Sequence, residues 1–158
     1  MTVHSISPDV LGTEDDPLKL GTQSPRGTYA LVYRVPEITA EVGALGTFDL
    51  EAGGYVYVGS AFGSGGLRRV LRHRRVAAGE HDARHWHVDY LGGYPAVELD
   101  HAVCVVGTDV ECAVADSLGT AALSGFGSSD CDCEAHLTRF EDVETASSLV
   151  EAVVRLKS

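Results

Sequence analysis

Basic and imidazole side chains are concentrated in one window of a chain that is otherwise acidic. Residues 66–87 carry six arginines and four histidines against two carboxylates, a formal charge of +4 within a chain of net charge −11. Local positive charge is what contact with phosphate groups requires. The window therefore predicts a site for a phosphate-bearing partner, although a solvated helix face would have the same composition.

A second group of chemically capable side chains lies nearer the C-terminus. Cys131, Cys133 and His136 follow one another closely, and Cys112 is near enough in sequence to join them. Four nitrogen and sulfur donors suit a tetrahedral Zn²⁺ ion. In a chain expected in the cytoplasm, a thiol metal site or buried free thiols are favoured over disulfide bonds. A structural zinc site and buried thiols both stay open.

Hydrophobic patterning predicts the elements that must position these groups. Strand composition, rich in β-branched and aromatic residues, occurs in residues 27–35, 55–61, 101–106 and 136–140. Helical patterns cover residues 67–80, 83–91, 111–118 and 144–156. A glycine-punctuated stretch between the first two strands predicts a turn or a short ribbon. The order predicts a small α/β (α+β) fold, with a central, mainly antiparallel sheet of three to four strands flanked by helices.

The domain organisation is predicted to be simple. Residues 1–25 mix Ser, Thr, Pro, Gly and acidic residues without periodicity, which predicts a flexible N-terminal tail. Residues 26–158 are long enough for a single domain with its own core. We expect one domain preceded by a tail.

Two tripeptides on the first two predicted strands carry a family resemblance. Gly27-Thr28-Tyr29 opens one strand, and Tyr57-Val58-Gly59 lies on the next, directly before the arginine-rich helix. Together with HWHVDYL, a Glu-Cys pair at a helix start and FGSSDCDCEAHL, they resemble the signature of the GIY-YIG nuclease superfamily, in its Uri-type endonuclease branch. The resemblance spans residues 27–140. It implies a metal-dependent endonuclease that hydrolyses phosphodiester bonds in nucleic acid, with DNA favoured over RNA.

The resemblance implies an active site built on two tyrosines and a histidine. Tyr29 and Tyr57 match the motif tyrosines of the family, one of which orients or deprotonates the attacking water. A phenol has a pKa of roughly 10, so a neighbouring cation or metal must lower it before the group acts as a base near neutrality. His73 matches the family's histidine or tyrosine on the first helix, where an imidazole relays a proton or hydrogen-bonds the phosphate.

The phosphate-holding arginine of the family has no direct match. Alignment of residues 67–71 with the family's helix places Val70 at the arginine's position, with Arg69 and Arg72 as the nearest substitutes. Arginine suits this role because its planar guanidinium grips phosphate through two parallel hydrogen bonds. Two alternatives stay open: an active endonuclease that uses Arg69 or Arg72, and a catalytically weak or inactive nucleic-acid-binding module of the same fold.

Glu111 is the metal ligand that the resemblance implies, at the start of the helix after the third predicted strand. Mg²⁺, or Mn²⁺ in its place, prefers oxygen ligands and often takes only one or two protein carboxylates. Capping of the helix dipole is the alternative role for this glutamate. Further contacts to nucleic acid are predicted for five basic residues, Arg68, Arg74, Arg75, His85 and His87.

Composition predicts the environment of the protein. Only two of its 12 cationic residues are lysines, against 23 Asp and Glu residues. A strongly acidic, lysine-poor surface keeps a protein hydrated in concentrated salt, so we expect a halophilic cytoplasm; an ordinary acidic protein is the alternative. No apolar run approaches the ~20 residues of a membrane span, and residues 1–25 lack a signal-peptide pattern. A cytoplasmic protein without a membrane partner is expected.

A third interpretation needs no nucleic acid. In it the chain is a zinc-stabilised interaction domain, the cysteine–histidine group binds the metal, and the basic window is incidental. The three interpretations share one fold and differ in which side chains meet in space.

Overall fold

One antiparallel sheet of five strands organises the residues that the computed structural model describes, which are 3–41, 46–80, 87–118 and 137–158. The strands in chain order are β1 Val3–Ile6, β2 Gly27–Val35, β3 Ile38–Glu41, β4 Thr47–Leu50, β5 Gly53–Ala61, β6 Glu98–Val106 and β7 Leu137–Phe140. The spatial order of the sheet is β1-β6-β2-β5-β7, and every neighbouring pair is antiparallel. Strands β3 and β4 form a separate two-stranded ribbon between β2 and β5.

Helices flank this sheet on both sides. They are α1 Arg69–Ala77, which follows a 3₁₀ turn at Gly66–Arg68, then α2 His87–Gly92, α3 Glu111–Ser117 and α4 Val143–Lys157. The structure confirms the predicted mixed fold with a mainly antiparallel sheet and the short ribbon. Among the described residues, none of these helices is both long and apolar enough to cross a bilayer.

The central strands bury both of their faces, and alternation assigns each residue to one of them. In β2, Tyr29 and Leu31 pack into one core while Ala30 and Val32 pack into the other, because successive side chains of a strand point to opposite sides. We call these the tyrosine face and the valine face. Core residues of α1 and α2 cover the tyrosine face, and core residues of α3 and α4 cover the valine face.

The N-terminal segment corrects the expectation of a flexible tail over residues 1–25. Strand β1 pairs with β6, from Val3 opposite Val105 to Ile6 opposite Ala102. This pairing supplies the fifth strand of a sheet that was expected to have three to four. The residues that follow bury three leucines in the core of the tyrosine face, Leu11, Leu18 and Leu20. Polar composition hid these contacts, since the leucines lie among turn-forming residues and follow no helical or strand periodicity.

A buried aspartate holds the turns of this segment together. The Asp16 side chain is fully buried and its carboxylate accepts hydrogen bonds from the backbone N–H groups of Gly12, Leu18 and Leu20, at 2.9, 2.9 and 3.2 Å. A buried charge is tolerated when hydrogen bonds replace its hydration, as they do here. Burial raises the pKa of the Cys104 thiol to about 12, and the charge of the Asp16 carboxylate adds to the rise.

Substitution of Asp16 by asparagine should destabilise the protein. The amide keeps the shape but loses the charge-assisted hydrogen bonds, so we expect a loss of about 2–3 kcal/mol in the free energy of unfolding. Urea denaturation followed by circular dichroism measures this. Asp15→Asn is the matched control, because Asp15 is exposed. Equal stability of the two variants would contradict the structural role of Asp16.

Candidate active site

The register of β2 on β5 brings the two motif tyrosines to one face of the sheet. Tyr29 lies opposite Gly59, and Leu31 lies opposite Tyr57, so the tyrosines are diagonal neighbours across the strand pair. Their ring centroids are 6.4 Å apart. Both side chains are buried, with 2% and 7% of their surface exposed.

Gly59 packs directly against the Tyr29 ring. A Cβ atom at this position would overlap Cζ and Oη of Tyr29. The glycine of the second tripeptide is therefore required by the tyrosine of the first, since only a residue without a side chain leaves room for the ring. The glycine of one tripeptide and the tyrosine of the other are therefore linked by packing, independently of any catalytic role.

His73 completes a buried cluster with the two tyrosines. It lies on α1 between Val70 and Val76, the other two buried residues of that helix. Its Nε2 is 3.0 Å from Tyr29 Oη, and its ring centroid is 5.5 Å from that of Tyr29 and 6.3 Å from that of Tyr57. We call Tyr29, Tyr57 and His73 the tyrosine–histidine cluster. The structure thus joins three of the side chains to which the resemblance assigned chemistry.

Burial keeps both hydrogen-bonded groups of this cluster neutral. It lowers the pKa of His73 to about 3, and the cations of Arg72 and Arg69 add to the fall while Asp89 opposes it. Burial also raises the pKa of Tyr29 well above its ordinary value, Tyr57 adds to the rise, and Arg69 opposes it. The described groups around Tyr29 therefore do not lower its pKa, as they would have to if this tyrosine acted as a base near neutrality without a metal.

The guanidinium beside the cluster belongs to Arg69, one residue before Val70. Val70 is fully buried in the core of the tyrosine face, where an arginine would have no room. Arg69 lies one helical turn before His73, donates to the Ser60 carbonyl at 2.8 Å, and acts on Tyr29 through charge and a side-chain hydrogen bond. Of the two substitutes considered for the family's arginine, Arg69 is the one that acts on Tyr29.

Arg72, the other candidate for a phosphate contact, is engaged within the protein. Its guanidinium makes two hydrogen bonds to the Asp89 carboxylate, at 2.8 and 2.7 Å. Asp89 belongs to α2, is fully buried, and places Oδ1 3.8 Å from His73 Nδ1. No pattern in the sequence indicates this pairing, because the two partners come from different helices.

Glu111 begins α3 at the same end of the sheet as the cluster. The Thr28 hydroxyl donates to the Thr108 carbonyl at 2.7 Å and accepts from the Val110 N–H at 3.1 Å. These bonds tie the turn before Glu111 to the residue that precedes Tyr29. The body of α3 packs on the valine face, through Val114 and Ala115. Glu111 therefore begins a helix whose buried residues pack on the face opposite the tyrosines, next to the turn that Thr28 holds.

The remaining basic residues divide into exposed and engaged groups. Arg68 and Arg75 are exposed on α1 and the turn before it. Arg74, in contrast, donates from Nε to the Pro8 carbonyl at 2.8 Å and so helps to hold the N-terminal segment. His85 lies outside the described residues, and His87 begins α2 with a side chain that is not described.

The cysteines give a different picture from the one expected. Cys112 is disulfide-bonded, whereas a thiol metal site or a free thiol was expected for it. The other proposed zinc ligands, Cys131, Cys133 and His136, lie outside the described residues. Cys104 is a buried free thiol. Within the part of the chain that is described, no group of three or more His, Cys, Asp or Glu side chains is arranged to hold a metal ion.

The chain belongs to a protein family described as a domain of unknown function, DUF123, whose match covers residues 28–158. The match begins inside β2, so it contains the whole tyrosine–histidine cluster and leaves out the N-terminal segment with β1 and Asp16. No curated protein and no solved structure matches the chain significantly.

Replacement of Gly59 by alanine should disrupt the packing of Tyr29. The added methyl group meets the tyrosine ring on a central strand, and such overpacking costs typically about 1–3 kcal/mol. Urea denaturation measures the loss. Gly63→Ala is the control, because a Cβ there meets nothing within 4 Å and the backbone is not left-handed. Equal stability of the two variants would contradict the requirement for a glycine beside the Tyr29 ring.

Acid should destabilise the protein through His73. The unfolded chain binds a proton at this residue near pH 6.5, whereas the folded protein does so only near pH 3. Stability should therefore fall as pH decreases between these values, by about 1.4 kcal/mol per pH unit for one proton. Unfolding free energies of wild type and His73→Gln between pH 7.5 and 4 test this. The variant should show the shallower slope, and parallel curves would contradict a neutral buried His73.

Proposed function

We propose that the chain is a metal-dependent endonuclease of the GIY-YIG type that hydrolyses phosphodiester bonds in nucleic acid, with DNA as the preferred substrate. The observation that supports this proposal is the 3.0 Å contact between Tyr29 Oη and His73 Nε2 with Arg69 beside it. A phenol, an imidazole and a guanidinium meet where the two motif strands pair. Family membership alone assigns no activity, so the proposal depends on this geometry and on the motif resemblance.

The cluster suggests how an attacking water loses its proton. Tyr29 keeps its proton at neutral pH, so its oxygen accepts a proton from water only as its own proton passes to His73 Nε2. The neutral imidazole provides the lone pair for that transfer. The new oxygen–phosphorus bond forms, the bond to the leaving oxygen breaks, and that oxygen takes a proton from solvent. The imidazolium formed in this way is short-lived, because burial disfavours it and Asp89 only partly opposes that effect, and its proton passes to the solvent, which restores the neutral cluster.

Arg69 and Glu111 have the chemistry that the phosphate and a cation require. The guanidinium of Arg69 suits a phosphate because its planar N–H groups match two phosphate oxygens. Glu111 would hold Mg²⁺ or Mn²⁺, and a single carboxylate fits because Mg²⁺ commonly retains waters and substrate phosphate as its other ligands. When bound, the cation neutralises charge that develops on the phosphate.

The burial of the cluster favours a second candidate, a nucleic-acid-binding module of the same fold that does not hydrolyse its ligand. Tyr29 and His73 each expose only 2% of their surface, which limits contact with a substrate. Arg68 and Arg75 are exposed and suit contact with a phosphate backbone. Binding without cleavage would follow if these arginines act and the cluster only stabilises α1 on the sheet.

Cleavage assays on branched and single-stranded DNA, with Mg²⁺ or Mn²⁺ at low and high salt, separate the two candidates. Wild type should cleave, and Glu111→Ala should reduce the rate at least about 10²-fold while DNA binding persists, because the metal contribution is lost and the arginines remain. Tyr29→Phe should reduce the rate by a similar factor, since the phenol oxygen is removed.

Tyr55→Phe is the matched control for the tyrosine variant. Tyr55 lies on the same strand as Tyr57, but its hydroxyl donates to the Glu51 carbonyl at 2.7 Å, outside the cluster. This variant should cleave like wild type. Equal cleavage by wild type and Glu111→Ala would remove the metal assignment, and DNA binding without cleavage by wild type would establish the binding module.

A further inference from the structure

The buried ion pair between Arg72 and Asp89 connects α1 to α2 next to the imidazole of His73. The carboxylate of Asp89 is fully buried, and the Arg72 side chain exposes 18% of its surface. Two parallel hydrogen bonds from one planar guanidinium fix the orientation of the carboxylate. In that orientation Oδ1 is directed toward the histidine ring, 3.8 Å from Nδ1.

We infer that Asp89, oriented by Arg72, is a positioning residue that sets the tautomer of His73, with the proton on Nδ1 and the lone pair of Nε2 directed at Tyr29. At 3.8 Å the carboxylate acts through its charge rather than through a direct hydrogen bond. A negative charge beside Nδ1 stabilises a proton on that nitrogen, because the positive end of the N–H bond faces the carboxylate. An unprotonated Nδ1 would instead direct its lone pair at the carboxylate oxygen and be repelled by it.

The other contacts of the cluster agree with this direction of donors and acceptors. Tyr29 keeps its proton, because burial raises its pKa, and its O–H therefore has a proton to donate to Nε2. The Tyr29 oxygen is then left to accept from Arg69, whose guanidinium is a donor only. In the opposite tautomer, the phenol oxygen would accept from both the Nε2–H of His73 and the guanidinium of Arg69, and its own O–H would have no acceptor within this set of groups. Each group has one consistent role only when Nδ1 carries the proton.

The charged and titratable groups around His73 come from three elements. Asp89 on α2 is the anion, Arg69 and Arg72 on α1 are cations, and the phenols of Tyr29 and Tyr57 come from the sheet. Among the residues that the structure describes, Asp89 is the anion that acts on His73, and its charge favours a protonated Nδ1. Its removal should therefore change the tautomer, whereas loss of stability by other means should not.

Nitrogen-15 NMR of histidine-labelled protein at pH 7.5 tests the inference on the wild type. Two-bond ¹H–¹⁵N spectra distinguish the protonated from the unprotonated ring nitrogen, and the His73 signals are assigned by their loss in His73→Gln. We expect protonated Nδ1 and unprotonated Nε2. A wild-type His73 with its proton on Nε2 overturns the inference, and this result needs no variant that has to fold.

Asp89→Asn removes the charge and should shift His73 toward the Nε2–H tautomer. Asp16→Asn is the matched control, because Asp16 is equally buried and is hydrogen-bonded to backbone N–H groups instead of lying beside His73. It should lower stability and leave the His73 tautomer unchanged. An Asp89→Asn protein that folds and keeps the wild-type tautomer also overturns the inference; if that variant does not fold, the wild-type spectrum decides.

The consequence for catalysis rests on the proposed function. If wild type cleaves DNA, Asp89→Asn should lower kcat by about 10²-fold or more with little change in KM, because proton transfer from Tyr29 to Nε2 is lost. Absence of cleavage by wild type would defeat the proposed nuclease, while the NMR result would still decide the role of Asp89. A cleaving Asp89→Asn protein with wild-type kcat would show that the tautomer does not matter for the reaction and would overturn the positioning role.

Discussion

The contact between Tyr29 on β2 and His73 on α1 is the interaction around which the candidate site is arranged. It joins a strand at the centre of the sheet to a helix whose other face carries arginines. The contact needs Gly59 under the tyrosine ring, and it needs Val70 and Val76 to seat α1 in the core. Because both partners are buried and uncharged, their hydrogen bond is formed without the desolvation cost that a charged pair would carry.

Helix α1 is held in place from two directions. On one side Arg72 binds Asp89 of α2, and on the other the N-terminal segment accepts a hydrogen bond from Arg74 at the Pro8 carbonyl. The Pro25 carbonyl also accepts the Leu67 N–H at 2.7 Å, directly before the helix. Arg72 and Arg74 thus position the helix, and they are not available for contact with a partner molecule. The exposed Arg68 and Arg75 are the arginines of this region that suit a phosphate backbone.

The net negative charge of the chain limits how Arg68 and Arg75 can contribute to binding nucleic acid. With a net charge of −11, long-range attraction to nucleic acid is weak or unfavourable, so a complex must depend on local contacts and shape. The neutral, buried tyrosine–histidine cluster is consistent with a dependence on local contacts, because hydrogen bonds inside a protein are screened by salt much less than exposed charges are.

Local patterning was enough to predict the antiparallel strands, the helices around them, the ribbon, and the pairing of the two tripeptides. Alternation with a period of two puts Tyr29 and Tyr57 on one face once β2 and β5 pair, and helical spacing puts His73 and Arg69 one turn apart. The errors arose where contacts are distant in the chain. Strand β1 pairs with β6, about a hundred residues away, and Arg72 binds Asp89 on another helix.

What the sequence determined by itself was therefore most of the elements after residue 26 and which side chains of one element share a face, since both follow from backbone geometry and periodicity. Only the tertiary structure decided which cations are already paired, which groups are neutral, and that the N-terminal residues belong to the sheet. Charge state and pairing depend on burial and on neighbours from other elements, and these neighbours exist only after the chain has folded.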